Sequence, residues 1–347
     1  MKIVVIGGTR FIGPHVVRHL IEMEHDVTIF HTGEHEADLP VQVRHVHHAW
    51  GRIPVMGIPD ELREIAPDVV LHMVPIGERD TQVVVDGFRG VAGRLVAISS
   101  MDVYRLYGKL HRTESGPPEE LPLNEDSPLR EKLYPYREDP PRAEDDPRKW
   151  MDDYEKIMAE RVVMGEPELP GTVLRLPMVY GPGTLRDFEY VKRIADGRSI
   201  IPMQEGVAQW RGPRGYVENI AYGVALAVGD GRAAGRIYNI GEEESPSGEE
   251  WVRRIGQAAG WHGRVVVVPA ERMPEPMRFT GNFEQDWLVD TSRIRRELGY
   301  KEIISQEEGL RRTVAWQRDN LPAEVDAAQF DYEAEDAMLA GVEQTSL

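Results

Sequence analysis

Short apolar runs alternate with amphipathic stretches through the first hundred residues. KIVVIG at 2–7, DVTIF at 26–30, VRHVHHA at 43–49, DVVLHMV at 68–74 and RLVAISS at 94–100 read as buried strands. Between them, PHVVRHLIEME at 14–24, PDELREIA at 59–66 and TQVVVDGFRGV at 81–91 carry apolar residues at helical spacing. Strands separated by helices pair in parallel through right-handed crossovers, so the pattern predicts an α/β, doubly wound parallel sheet.

From about residue 106 to 150 the pattern lapses into proline and charge without a sustained period. So long an irregular stretch inside a compact enzyme is a functional loop or a disordered one. Periodicity resumes with a helix at 153–164, a strand at 171–181, mixed strand and helix at 215–229, and a strand at 236–241. A helix at 248–260, a strand at 265–271 and helices at 290–300 and 306–320 follow. The division expected is a dinucleotide-binding domain over 1–182 and a smaller, mainly substrate-binding part over 183–322. Residues 217–241 return to the first domain, and 323–347 form an acidic, loosely attached tail.

Composition narrows the function. The 347 residues carry a net charge of −18, which lacks the basic footprint a nucleic-acid partner requires. The absence of cysteine removes disulfides, thiolate metal sites and cysteine nucleophiles. No apolar run reaches the ~18 residues of a membrane span, and the run at the N-terminus is too short for a signal peptide, so a cytoplasmic protein is expected. His45 and His47 share one face of a strand, with His31 nearby, but no carboxylate stands at ligand spacing; no metal is expected.

GGTRFIG at 7–13 follows the first strand and opens the first helix. Glycines at such a turn let a diphosphate approach helix N-terminal amides. Gly7, Gly8, Thr9, Arg10, Phe11, Ile12 and Gly13 are therefore candidate cofactor contacts, although Arg10 stands where the middle glycine of G-x-x-G-x-x-G would be. After the second strand come His31 and Thr32, with no acid until Glu34 to take the ribose hydroxyls of NAD. NAD or NADP fits, and Arg10 tips the choice towards the 2′-phosphate of NADP.

VIGGTRFIG, AISSMDVY, VLRLPMVYGPG, GRIYNIG and DTSRIRRELGY, in this order, resemble the extended short-chain dehydrogenase/reductase family of nucleotide-sugar epimerases and dehydratases. The resemblance implies a Rossmann-type fold with a C-terminal substrate domain. It makes Ser100, four before Tyr104, the catalytic serine. Met73, Val74, Ser99, Pro177 and Met178 would lie along the cofactor. Asp102, Arg211 and Arg214 would contact substrate, the arginines by pairing with a diphosphate. Dehydratases of the family carry an acidic pair after the serine; MDVY offers Asp102 alone, which favours an epimerase or reductase. A homodimer through the helices at 81–91 and 154–164 is also implied.

The family places a tyrosine acid/base and a lysine four apart on one helical face, whereas Tyr154 and Lys156 are two apart, a rotation of about 200° in a regular helix. Aligning on the lysine puts Asp152 in the tyrosine's place; aligning on the tyrosine puts Met158 in the lysine's. A third arrangement keeps both, with Tyr154 on a non-helical lead-in and Lys156 in the first turn, and this is the expectation. The rivals are an NADPH-dependent ketoreductase of a non-sugar carbonyl and a non-catalytic dinucleotide sensor or RNA-associated protein.

Overall fold

A computed structural model describes residues 1–51, 53–322 and 324–343. The first unit comprises β1 (Lys2–Ile6), α1 (Ile12–Glu22), β2 (Asp26–His31), β3 (Arg44–His47), α2 (Asp60–Glu64), β4 (Val69–His72), α3 (Glu78–Phe88) and β5 (Arg94–Ser100). After α4 (Arg105–Leu110) come α5 (Lys156–Gly165), β6 (Gly171–Leu176), β7 (Met178–Tyr180), α6 (Phe188–Ala195), β8 (Ile200–Gln204) and α7 (Glu205–Gln209). The chain closes with β9 (Arg214–Tyr216), α8 (Val217–Gly229), β10 (Arg236–Asn239), α9 (Gly248–Ala258), β11 (Arg264–Val268), α10 (Ser292–Leu298), α11 (Gln306–Asp319) and α12 (Tyr332–Glu343).

Seven strands form one parallel sheet in the order β10-β6-β5-β4-β1-β2-β3, with Ile3 opposite both Val27 and Val69. Successive residues of a strand face opposite sides. Ile3, Val5, Val27 and Ile29 accordingly pack with Val16, Val17, Ile220 and Val224 of α1 and α8. Val4, Ile6, Val70 and Leu95 pack with Val84, Val85, Phe88 and Val163 of α3 and α5. Burial on both faces explains why these strands read as continuous apolar runs. Strand order reverses between β1 and β4, and ligands of such sheets bind outside the carboxyl ends at that point. The fold is the expected Rossmann-type doubly wound sheet.

Residues 217–241 do lie on this sheet, α8 against α1 and β10 beside β6. The run at 171–181 divides at Pro177, which has no N–H for a ladder: β6 stays in the large sheet and β7 pairs with β9. A second parallel pair, β8 with β11, organises the smaller C-terminal part with α6, α7 and α9.

Two expectations change. The segment 106–150 opens with α4 and then runs without further helix or strand until a 3-10 turn, Lys149–Asp153, yet ion pairs tie it down. Arg105 meets Glu119 at 2.8 Å, Arg130 meets Glu155 at 3.3 Å, and Arg142 pairs with Asp152. The acidic tail is not loose. Glu335 of α12 is fully buried and accepts from Arg193 Nε at 2.8 Å, while Asp336 pairs with Arg198. Its acids face two arginines that sequence spacing could not bring to them.

Candidate active site

The turn after β1 builds one wall of a cleft of about 230 Å³ at the strand-order reversal. Gly7 and Gly8 have φ of +90° and +95°, backbone that only glycine adopts without strain. A Cβ on Gly13 would lie 2.5 Å from the Gly8 backbone, so helix α1 starts directly against the turn. Thr9, Arg10, Phe11 and Ile12 line the cleft from this turn, His31 and Thr32 from the end of β2, and Met73 and Val74 from the end of β4. The close-packed glycines leave room for a diphosphate at the helix N-terminus, so these residues fit a dinucleotide.

The spacing of Tyr154 and Lys156 has a local cause. Glu155, fully buried between them, is the N-cap of α5, its carboxylate accepting from the Ile157 amide at 2.9 Å. An N-cap residue lies outside helical φ/ψ. Tyr154 is therefore in extended backbone, φ −68° and ψ 114°, and Lys156 is the first helical residue. Lys156 Nζ reaches 5.3 Å from the centre of the Tyr154 ring and donates to the carbonyls of Pro75 and Ile98. Burial pulls its pKa down to about 8. Four residues on, Glu160 forms a two-bond pair with buried Arg175, at 3.0 and 2.7 Å, anchoring α5 to β6.

Around Tyr154 the structure gathers Ser100 and Asp102. Burial first, then the Asp102 carboxylate, pushes the Tyr154 phenol well above its ordinary pKa, and a hydrogen bond with Ser100 opposes the shift. Burial also raises Asp102, whose Oδ2 accepts from the Tyr136 hydroxyl at 3.0 Å and whose Oδ1 has no hydrogen-bond partner among the described residues. Tyr136 in turn stands edge-on to the Tyr154 ring, centroids 5.1 Å apart.

Ser100, Asp102, Tyr136, Pro177, Met178 and Arg214 line a second cleft of about 440 Å³. Arg214 is buried, with its guanidinium 4.4 Å above the Trp251 ring. It donates to the Gly212 carbonyl at 3.4 Å, and no carboxylate pairs with it among the described residues. A buried cation without a paired anion is costly, and a ligand phosphate would meet that need. On the same wall, burial and neighbouring Asp187 push Glu189 up to about 7.

The profile of the NAD dependent epimerase/dehydratase family matches residues 3–241. The chain belongs to that family. It is 24% identical to UDP-N-acetyl-alpha-D-glucosaminuronate decarboxylase of Bacillus cytotoxicus, across 92% of this chain and 98% of the relative. Among solved structures, dTDP-glucose 4,6-dehydratase of Streptomyces venezuelae, with NAD bound, superposes at a TM-score of 0.64, with 21% identity over 92% of this chain and 98% of the other. UDP-N-acetylglucosamine 4-epimerase of Methanobrevibacter ruminantium gives 0.65, with 18% identity over 92% and 99%. At these identities the structural likeness carries the fold.

Within this epimerase/dehydratase frame, three expectations are corrected. The Ser99 side chain does not reach the cofactor cleft; it donates to Glu160 at 2.5 Å and belongs to the Arg175 network. Arg211 is exposed and lines a different depression with Glu243 and Glu244, so it does not join Arg214. The two are three residues apart across a turn into β9, and only the strand end faces the cleft. A carboxylate does reach the histidines: Glu36, on the loop after β2, folds back to 3.1 Å from His47 and 3.2 Å from His45.

Asp152 is not a substitute for the tyrosine, because its carboxylate is taken by Arg142 and by the amides of Arg142 and Glu138. Tyr136, Tyr107 and Trp287, which face the second cleft, went unread in the sequence. Tyr136 sits in the irregular stretch and Trp287 in the connection between β11 and α10, and no local period marks either.

Proposed function

We propose that the chain is an NAD-dependent enzyme that modifies a nucleotide sugar through a transient keto intermediate, most simply as an epimerase. The observation that carries this is that Ser100 and Asp102, both beside the Tyr154 phenol, line one cleft with Arg214, whose guanidinium no carboxylate pairs among the described residues. The decarboxylase, dehydratase and epimerase it resembles all have nucleotide sugars in their names.

The turn of Gly7, Gly8 and Thr9 would hold the dinucleotide, which would supply reversible hydride transfer at a sugar carbon. Tyr154 receives the proton of the hydroxyl on that carbon as the carbonyl forms, and gives it back on reduction. Burial holds the phenol protonated in the ligand-free protein, so Tyr154 first gives its own proton to solvent, and the phenolate then takes the proton of the sugar hydroxyl. Ser100 hydrogen-bonds the same oxygen. Lys156, charged below about pH 8, favours the phenolate when Tyr154 ionises. Arg214 pairs with the diphosphate of the substrate, which fixes which sugar face meets the acid/base. Loss of water calls for a second acid beside Asp102, and that place holds Met101; re-reduction needs no further group.

Against the NADP preference that Arg10 suggested, Glu34 and His35 also line the ribose end of the cleft. A carboxylate there repels a 2′-phosphate and accepts from ribose hydroxyls, so NAD is the cofactor proposed.

Incubation with a panel of UDP- and dTDP-hexoses, with products read by NMR, tests this reading. One sugar is expected to change configuration, and Tyr154→Phe to lower kcat by about 10²–10⁴-fold. Unchanged kcat in the variant would remove Tyr154 from the reaction.

A further inference from the structure

At the far end of the cofactor cleft from the catalytic cluster, four donors from three segments converge. His31 closes β2, His45 and His47 alternate on β3, and Glu36 returns from the connecting loop. One ligand atom from each lies within 4.8 Å of all the others. His31 Nε2 is 3.1 Å from His45 Nδ1, Glu36 Oε1 is 3.1 Å from His47 Nε2, and Glu36 Oε2 is 3.2 Å from His45 Nδ1. The edge of a tetrahedron with metal–nitrogen bonds of ~2.0–2.1 Å is about 3.3 Å, so these separations are those of a zinc-type coordination shell.

Neutral rings leave one contact of this cluster unmet. The Gly33 amide donates to His31 Nδ1 at 3.2 Å, so the proton of neutral His31 is on Nε2 and faces His45 Nδ1. That lone pair then also faces the Glu36 carboxylate with no proton between them. If His45 Nδ1 carries the proton instead, it serves Glu36, and His31 Nε2 must be bare, which sets its Nδ1–H against the Gly33 amide. No single assignment to neutral rings satisfies all three contacts. A cation at the centre accepts the lone pairs of His45 Nδ1 and Glu36 that no proton separates, and ligation by His31 Nε2 moves its proton to Nδ1 at the cost of the Gly33 contact.

We propose that His31, His45, His47 and Glu36 bind one divalent cation of the zinc type. The donor set, three imidazoles and one carboxylate, is one that zinc takes, and four protein donors leave no open position for catalysis. The ion is structural: it ties the ends of β2 and β3 to the loop between them, and so sets the wall that His31 and Thr32 present to the cofactor cleft. This does not depend on which sugar, if any, the enzyme turns over.

The test uses the full chain stripped with chelator, dialysed against Zn²⁺ or Co²⁺, with metal measured by mass spectrometry and Co²⁺ by its visible spectrum. One equivalent per chain, intense tetrahedral Co²⁺ bands and a Zn²⁺-dependent rise in Tm are expected. His45 and His47 are partly exposed, with side-chain accessibilities of 27% and 51%, so the double variant His45→Ala/His47→Ala should keep its metal-free Tm. It should also bind at least about tenfold more weakly and lose the Zn²⁺-dependent rise. Substoichiometric metal in the wild type, or equal affinity in the double variant, would overturn the assignment.

Discussion

At the scale of single residues, Glu155 decides how the site is built. Its side chain caps α5, accepts from the Tyr134 amide at 2.6 Å and meets Arg130 inside the protein. One buried carboxylate thus starts the helix at Lys156, leaves Tyr154 outside it, and holds the 106–150 segment over the cleft. Glu155→Ala leaves Arg130 buried without its partner, and a loss of about 3–5 kcal/mol is expected in urea unfolding. A loss below about 1 kcal/mol would show that the pair holds little together. Lys156 gives the pH dependence. Burial lowers its pKa to about 8, so it loses its charge as pH rises through that value, while Tyr154, raised by burial, stays protonated there. Activity that uses the charged lysine should fall on the alkaline side of about 8. A kcat/KM flat well beyond that pH would contradict the role given to Lys156.

At the scale of elements, what was legible follows from what was local. The βαβ units of the first hundred residues announced themselves because each strand is buried on both faces and each helix on one. The glycine turn was readable for the same reason, its chemistry lying within seven consecutive residues. The segment at 153–156 was harder: its spacing allowed three alignments, and the cap on Glu155 that distinguishes them depends on Arg130 and Tyr134, some twenty residues away. Arg211 and Ser99 were misplaced because a motif gives a residue's position in the chain but not the side of the strand or turn it faces. Glu36 escaped notice because its distance from His45 and His47 is set by the pairing of β2 with β3, in which His31 lies opposite His47. The helix pair α3–α5 carries a further expectation. Val83, Met158 and Val162 are half-buried on its two helices, and a second copy packing there would make the homodimer that the family resemblance implies. Sedimentation should give a dimer for the wild type and a monomer for Val83→Glu/Val162→Glu; a monomeric wild type would remove the proposal.

At the scale of the whole molecule, one parallel sheet carries the candidate site at the carboxyl ends of its strands. The glycine turn sits at the reversal of strand order, Ser100 ends β5, Tyr154 lies just before α5, and the smaller part brings Arg214 across on β9. Even the acidic tail is fixed, by the burial of Glu335 against Arg193. No helix among the described residues is long and apolar enough to cross a membrane. An enzyme that oxidises and then re-reduces the same sugar ends each cycle with its dinucleotide in the starting state, so it has no need to release it. The most direct test is therefore to denature the purified protein and identify the released small molecules by mass spectrometry. Near-stoichiometric NAD⁺ is the result predicted. Finding no dinucleotide released, and none bound when NAD⁺ is titrated into the native protein, would contradict the account at its centre.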